Sequence, residues 1–253
     1  MDNKQKDDLE KVFAASEHLR PRIEPRYTDC EYPHFHDLNN FIKYNCSSKA
    51  ITILDYGAGA SPYKKYFPKA DYRTADLINI PSLTYRFGLD SKITEKDEVF
   101  DLVLSTQVLE HVSDVDTYLS ESYRLLKKGG TLLLTTHGVW EEHGVPYDFY
   151  RWNEAGFRRD LTRAGFSKIT IFKLTCGFRA ALFLFIQQLF LAKCPHGQPA
   201  KFTFKLFRFS ISRILGFLYR ISDKYWPDQQ IVEVKQAKAN PTFYIVIAAI
   251  AQK

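Results

Sequence analysis

Two groups of residues in this chain have the types and spacing to do chemistry. The first is Asp55-Tyr56-Gly57-Ala58-Gly59, which closes the apolar, β-branched run beginning at Ile51. Such a run ending in an acid and two glycines reads as a strand feeding a tight loop, because glycine turns the backbone beneath a ligand that a Cβ atom would push away. A dinucleotide site calls for a third glycine where pyrophosphate meets a helix N-terminus. That position holds Ser61, read as a helix N-cap with Pro62 as the first helical residue. The expected ligand is therefore a nucleoside without phosphates. Asp76 ends a second strand-like segment, Tyr72 to Leu77, nineteen residues after Gly57. A carboxylate there can accept both ribose hydroxyls.

The second group runs from His137 to Trp152 and holds His143, Tyr147, Asp148, Tyr150 and Arg151. Imidazoles and carboxylates within hydrogen-bond reach of a hydroxyl can take its proton, so His137, His143 and Asp148 are the candidate general bases. Tyr147, Tyr150 and Arg151 are the candidate pocket residues. Structural hydrogen bonding is the competing reading for each histidine. Two histidines and an aspartate at this spacing support a metal site only weakly, and none is assigned.

The elements that must position these groups follow from periodicity. Phe100 to Ser105 and Gly129 to Thr136 read as two further strands. Between them lies an amphipathic helix, with Ser113 as cap, Leu119, Tyr123 and Leu126 on one face, and Lys127-Lys128-Gly129 as its close. A helix over Asn153–Ala164, a strand over Lys168–Leu174 and a last strand over Thr242–Ala249 complete the pattern. Loops beyond the C-terminal ends of parallel strands border the ligand crevice, which puts both groups on one rim.

In these blocks (ILDYGAGAS, Asp76, the GLD at 88–90, FDLVLSTQVLEHV and LLKKGGTLLLTT) the chain resembles class I S-adenosylmethionine-dependent methyltransferases of the small-molecule and glycan branch, the methyltransferase type 11 group, over about half of its length. The resemblance implies an α/β, Rossmann-like, doubly wound sheet of seven strands whose last strand is antiparallel. It implies S-adenosylmethionine as cofactor, with Asp55, Tyr56, Gly57, Ala58 and Gly59 bordering its methionine part, Asp76 and Leu77 the ribose, Asp90 the adenine, and Thr106 and Gln107 the loop under the sulfonium. PYDFYRW at 146–152 resembles a stretch in methyltransferases of bacterial surface-glycan pathways. The expected activity is O-methylation of a sugar, glycan precursor or related hydroxylated metabolite. Methyl transfer from a sulfonium loses charge, so alignment of nucleophile, methyl and sulfur is the main demand on the protein.

The remaining sequence reads as two additions to this core, a helical cap at 1–48 and an insertion at 177–239, with the core at 49–176 and 240–253. The cap carries Tyr27, Tyr32, His34 and His36, which either reach the site or pack the cap onto the sheet. From Gly177 to Trp226 stand eight basic residues against one acid, Asp223, and this segment accounts for the net charge of +6. At helical spacing Lys201, Lys205, Arg208, Ser212, Arg213, Gly216 and Arg220 share a stripe, opposite Phe202, Phe204, Phe207, Ile211, Ile214, Leu215 and Leu218. A basic amphipathic helix over 201–220 suits a membrane surface, a substrate cap or a homodimer contact, against the plain alternative of a helix pair packed on the core with its charges in water.

Four cysteines without metal-ligand spacing read as reduced thiols. The polar N-terminus and the lack of a long apolar run predict a cytoplasmic protein, peripheral at most to the inner membrane surface. No Asn/Asp-Pro-Pro-aromatic motif follows the Phe100 strand, so a nucleic-acid partner is not expected. A cofactor-binding module without catalysis is the alternative of another class.

Overall fold

The computed structural model describes residues 16–46, 49–78, 83–191, 198–235 and 240–253. The described strands are β1 (Thr52–Tyr56), β2 (Asp71–Asp76), β3 (Tyr85–Arg86), β4 (Phe100–Thr106), β5 (Leu126–His137), β6 (Ser167–Cys176), β7 (Ile231–Glu233) and β8 (Tyr244–Gln252). They form one sheet in the order β3-β2-β1-β4-β5-β8-β6-β7. Strands β1 to β5 are parallel, and β8 slots antiparallel between β5 and β6. This is the expected doubly wound sheet with its antiparallel last strand, extended by one short edge strand. That strand, β7, comes from the insertion and pairs with Phe172 to Leu174. Central strands such as β4 and β8 are almost wholly buried, as continuous apolar runs covered on both faces must be.

The helices are α1 (Ser16–Ile23), α2 (Tyr32–Asn45), α3 (Val115–Leu125), α4 (Glu154–Arg163), α5 (Gly177–Leu191) and α6 (Gln198–Tyr225). One face of the sheet is covered by α3 and α4 through Tyr118, Leu119, Phe157 and Leu161. The other is covered by α2 and α5 through Leu38, Phe41, Ile42 and Phe183. Burial of each such side chain contributes about 1.5–3 kcal/mol.

Four local expectations are corrected. The helix expected after the glycine loop is only a 3-10 turn, Lys64–Tyr66. Pro68 disfavours helical backbone at Phe67, which has φ −124° and ψ 59°; this leaves too few residues for an α-helix, and Tyr63 and Phe67 turn into the core instead. Ser61, read as an N-cap, has φ +51°. Helix α3 is capped by Asp114, which accepts the Thr117 N–H at 3.0 Å, and not by Ser113. Leu126 is already extended, so Lys127-Lys128-Gly129 open β5 rather than close α3.

Cap and insertion share a small core of Tyr32, Ile186, Leu215 and Tyr219. Beside it Arg179 is fully buried, against the reading that the insertion's charges stand in water. Its guanidinium donates to both Asp37 oxygens at 2.8 Å, to Asp223 at 2.5 Å and to Ser222 at 3.1 Å. Asp37 also accepts the Thr175 hydroxyl, and Asp223 that of Tyr32, which ties α2, β6, α5 and α6 into one network. The side chains of 198–209 and 212 lie outside the described ones, so most of the predicted stripe is not tested. Its C-terminal part departs from the reading: Gly216 is buried against the Tyr27 backbone and Arg220 stacks over the Tyr27 ring, while Ile214 is exposed. Cys30, Cys46 and Cys176 are free thiols, and Cys194 lies outside the described residues.

Candidate active site

The glycine loop leaves β1 and is held by the backbone of β2: Gly57 and Ala58 N–H both donate to the Ala75 carbonyl, at 2.8 and 3.0 Å. Gly57 has φ +81°, and a Cβ there would stand 2.4 Å from a Val108 methyl, so packing as well as conformation demands glycine. Gly59 has φ +51° and open space where its Cβ would be. Asp76 is buried at the end of β2 and accepts the Gly59 N–H at 2.7 Å and the Ile78 N–H at 3.0 Å. Burial raises its carboxyl, and these N–H groups oppose the shift. Each oxygen keeps a lone pair for a ligand.

Asp55 is 1% exposed beneath the same loop and accepts the Tyr72 hydroxyl at 2.6 Å. Burial pushes its carboxyl up to about 7, against the pull of the Tyr72 and Ser61 hydroxyls. Tyr56 points into the core, stacked on Tyr118 at 4.1 Å, and donates its hydroxyl to the Ser91 carbonyl. Only its backbone borders the crevice. Its side chain pins the loop that carries Asp90, whose exposed carboxylate accepts the Lys92 N–H at 3.3 Å. Leu77 is half-buried directly after Asp76.

At the end of β4, Thr106 is buried and Gln107 adopts φ +55°, a costly conformation for a side chain of that size. Gln107 donates to Thr135 Oγ1 at 3.1 Å, and its buried Oε1 has no partner. The open cradle at Gly59, the Asp76 lone pairs and this orphaned acceptor fit a nucleoside bearing a hydrogen-bond donor, as S-adenosylmethionine does.

On the other side of the rim, the structure brings His137 and His143 together with two residues that sequence reasoning does not place among the candidate bases. Glu110 sits fully buried in the 3-10 turn Leu109–His111 and accepts the Thr136 hydroxyl at 2.8 Å through Oε2. Its Oε1 lies 3.2 Å from His137 Nε2. His34 reaches in from α2, its ring 5.7 Å from that of His137 and 4.7 Å from that of Trp140, so the cap histidine lines the site. Tyr32 and His36 pack the cap instead, stacked on each other at 4.9 Å. Burial pushes His137 well down and His34 to about 3, so both rings are neutral, and burial raises Glu110.

His143 is half-buried beside His111 and is lowered first by burial and then by that neighbour. Asp148 is committed: both its oxygens are held by Arg151 at 2.6 and 2.7 Å, and Oδ2 accepts the His143 N–H at 2.9 Å. Burial pushes its carboxyl up, but Arg151 and the His143 amide outweigh this and leave it at about 2. So weak a base is suited to orienting its neighbours. Arg151 also donates to the Glu141 carbonyl at 2.6 Å, folding the loop onto itself. Tyr147 accepts at its carbonyl from the His111 ring, and Tyr150 is exposed on the outer side, lining a cavity of about 590 Å³ between the starts of α3 and α4. Arg151 lines that cavity with Tyr150, and Tyr147 does not. Glu110 stands within the LEHV block, and the signal for it is an acid one residue from a histidine directly after a buried strand.

Residues 54–134 match a family model described as a methyltransferase domain. A ubiquinone biosynthesis O-methyltransferase from Bartonella bacilliformis is 34% identical over 65 residues, 25% of this chain and 26% of that protein. A demethylmenaquinone methyltransferase from Streptomyces avermitilis is 36% identical over 114 residues, 40% of this chain and 49% of that one. The chain thus spans between about a quarter and a half of the length of these relatives. Among solved structures, phosphoethanolamine N-methyltransferase 2 from Haemonchus contortus with S-adenosyl-L-methionine superposes with a TM-score of 0.56 at 19% identity, over 98% of this chain and 60% of that one. A methyltransferase from Thermotoga maritima gives 0.55 at 13% identity, over 98% and 99%. At such identities the structures speak for the fold alone. With the glycine loop, Asp76 and the sheet order in agreement with that match, residues 54–134 are similar to a methyltransferase domain, and the chain has the class I methyltransferase fold.

Proposed function

We propose that this protein is an S-adenosylmethionine-dependent O-methyltransferase acting on a small hydroxylated acceptor. One observation carries the reading: a cluster of neutral imidazoles and a carboxylate, His137, His143 and Glu110, stands on the same rim as the cofactor crevice, one turn from Gln107. The bound cofactor supplies the electrophilic methyl group. The chain's part is to hold the acceptor oxygen in line and take its proton, a step worth roughly 10²- to 10⁴-fold in rate. His137 and His143 are the groups able to take it. Asp148, tied to Arg151, orients His143.

A sugar or glycan precursor is the acceptor class favoured here, supported by the likeness at 146–152 and by the polar character of that loop. The names of the quinone-biosynthesis relatives favour a phenolic acceptor as the second reading, but the similarity of the two described above covers only 25% and 40% of this chain. The insertion presents exposed Phe178, Phe185, Ile214, Phe217 and Tyr225 near exposed Arg213, Arg220 and Lys224. That combination supports peripheral contact with an anionic leaflet, where a lipid-linked acceptor would be presented. No helix among the described residues is long and apolar enough to cross a membrane.

The decisive assay follows transfer of labelled methyl from S-adenosylmethionine to sugar, glycan-precursor and phenolic acceptors, with cofactor affinity measured separately by calorimetry. His137→Ala is expected to lower turnover by about 10²- to 10⁴-fold and leave cofactor affinity unchanged. Binding of NAD in place of S-adenosylmethionine, or full turnover in the His137→Ala and His143→Ala variants, would overturn the reading.

A further inference from the structure

Glu110, His137 and His143 come from three segments: the turn after β4, the end of β5 and the loop beyond it. Each offers one donor atom, and these atoms all lie within 4.8 Å of one another. Glu110 Oε1 and His137 Nε2 stand 3.2 Å apart, yet Oε1 has no hydrogen-bond donor aligned on it. Two buried groups, nearly unexposed, thus approach closely without bonding to each other. Ligands about 2.0–2.2 Å from one ion, at tetrahedral or octahedral angles, stand roughly 3.0–3.5 Å apart. The observed separation is that of two donors converging on a point beside the line that joins them.

The surroundings hold these donors as metal ligands are usually held. The Thr136 hydroxyl occupies Glu110 Oε2 and leaves Oε1. His143 Nδ1 lies 3.3 Å from the Glu141 carbonyl, with Asp148 Oδ2 at 3.4 Å, which leaves Nε2; a carbonyl or carboxylate on the second ring nitrogen is the arrangement that fixes ring orientation in metal sites. His143, half-exposed on its loop, gives access from solvent.

We propose that Glu110, His137 and His143 hold a divalent transition-metal ion of the zinc, cobalt or manganese kind. Two imidazoles and one carboxylate suit such ions and leave open positions for an oxygen ligand. The inference deepens the methyl-transfer reading and rests on it only for the use of the ion: with both imidazoles on the ion, it would take over their part as direct bases by lowering the pKa of an acceptor hydroxyl; whether the ion binds is independent of that reading.

The test uses the untagged full chain stripped with a chelator, titrated with Zn²⁺ by calorimetry and with Co²⁺ by visible absorption. One ion per chain is expected, with ligand-field bands of protein-bound Co²⁺. His143→Ala should lower affinity at least tenfold, and Asp148→Asn, altering a positioning residue, by about 10- to 100-fold with a shifted Co²⁺ spectrum. His36→Ala, outside the cluster, should change nothing. Glu110→Gln should also lose the ion. Since Glu110 is buried, the loop variant His143→Ala carries the test if that substitution fails to fold. A folded wild type that takes up neither ion, or equal affinity in wild type and His143→Ala, overturns the inference. Methyl transfer undiminished in chelator, with no ion uptake, removes the ion and leaves the methyl-transfer reading standing. Uptake of one ion without methylation of any acceptor does the reverse.

Discussion

The two sides of the crevice are built from different materials. On the cofactor side the shape comes from backbone: Gly57 and Ala58 bond to Ala75, Gly59 bonds to Asp76, and the parallel ladder of β1 with β2 and β4 holds the rest. On the acceptor side it comes from side chains imported from separate segments, His34 from the cap, Glu110 from the β4 turn, His137 from β5 and His143 with the Asp148–Arg151 clamp from the following loop. Backbone architecture needs only glycine, an acid and strand-forming residues, so it persists across distant relatives. Side-chain architecture changes with every substitution. The family match ends at residue 134, just before His137.

Substitutions can probe this contrast, and the largest effect is expected at the joint between cap and insertion. Arg179→Ala leaves the buried Asp37 without its guanidinium, with only the Thr175 hydroxyl and the His36 ring beside it, which should cost about 3–5 kcal/mol. Urea denaturation measures it, and a loss below about 1 kcal/mol would mean that the additions are not locked to the core through this network. Next comes the glycine loop. Gly57→Ala combines a left-handed φ with a collision against Val108, worth roughly 2–4 kcal/mol of stability. Gly59→Ala meets no protein atom and should cost only about 1 kcal/mol, yet its methyl enters the cofactor cradle and should lower cofactor affinity. Melting temperatures ranked the other way would show that the cradle is misassigned. The smallest effect concerns the outer face. Arg213→Ala and Arg220→Ala should each weaken attachment to anionic vesicles by about 1 kcal/mol, and salt should erase the difference. Failure of the wild type to co-sediment with anionic vesicles at low salt would remove the membrane role altogether.

The same division explains what could be read from the chain. Asp55, Gly57, Gly59 and Asp76 are legible because local backbone demands leave a local pattern, and β8 because a strand buried on both faces must be apolar throughout. Glu110 is hidden in plain view: its neighbours in sequence say nothing of Thr136 or His137, which are brought to it by the pairing of β4 with β5. His34 stays open in the sequence between lining the site and packing the cap, because only the packing of α2 against α5 decides where it points. Arg179 counts as one more positive charge on a basic segment, and its partners lie 142 and 44 residues away. The missing helix after Ser61 is a local misreading of another kind, since Pro62 suggests a helix start while Pro68 forbids its continuation.

Asp55 makes the cofactor side a proton reservoir. Its carboxyl, near 4 in an unfolded chain, is pushed up to about 7 in the fold, so the folded protein holds a proton that the unfolded one has lost. The stability this group contributes is fully present below about pH 4 and is lost as pH rises through about 7. Asp55→Asn should flatten that decline, as thermal melts across the window would record. A ligand that brings a positive charge beside Asp55 favours the ionised form, so binding must expel a proton in the same window, and affinity should climb with pH there. Calorimetry in two buffers of different ionisation enthalpy reads the expelled proton directly as a difference in heat. Equal heats in both buffers near pH 6 would mean that the loop closes over its ligand without consulting Asp55.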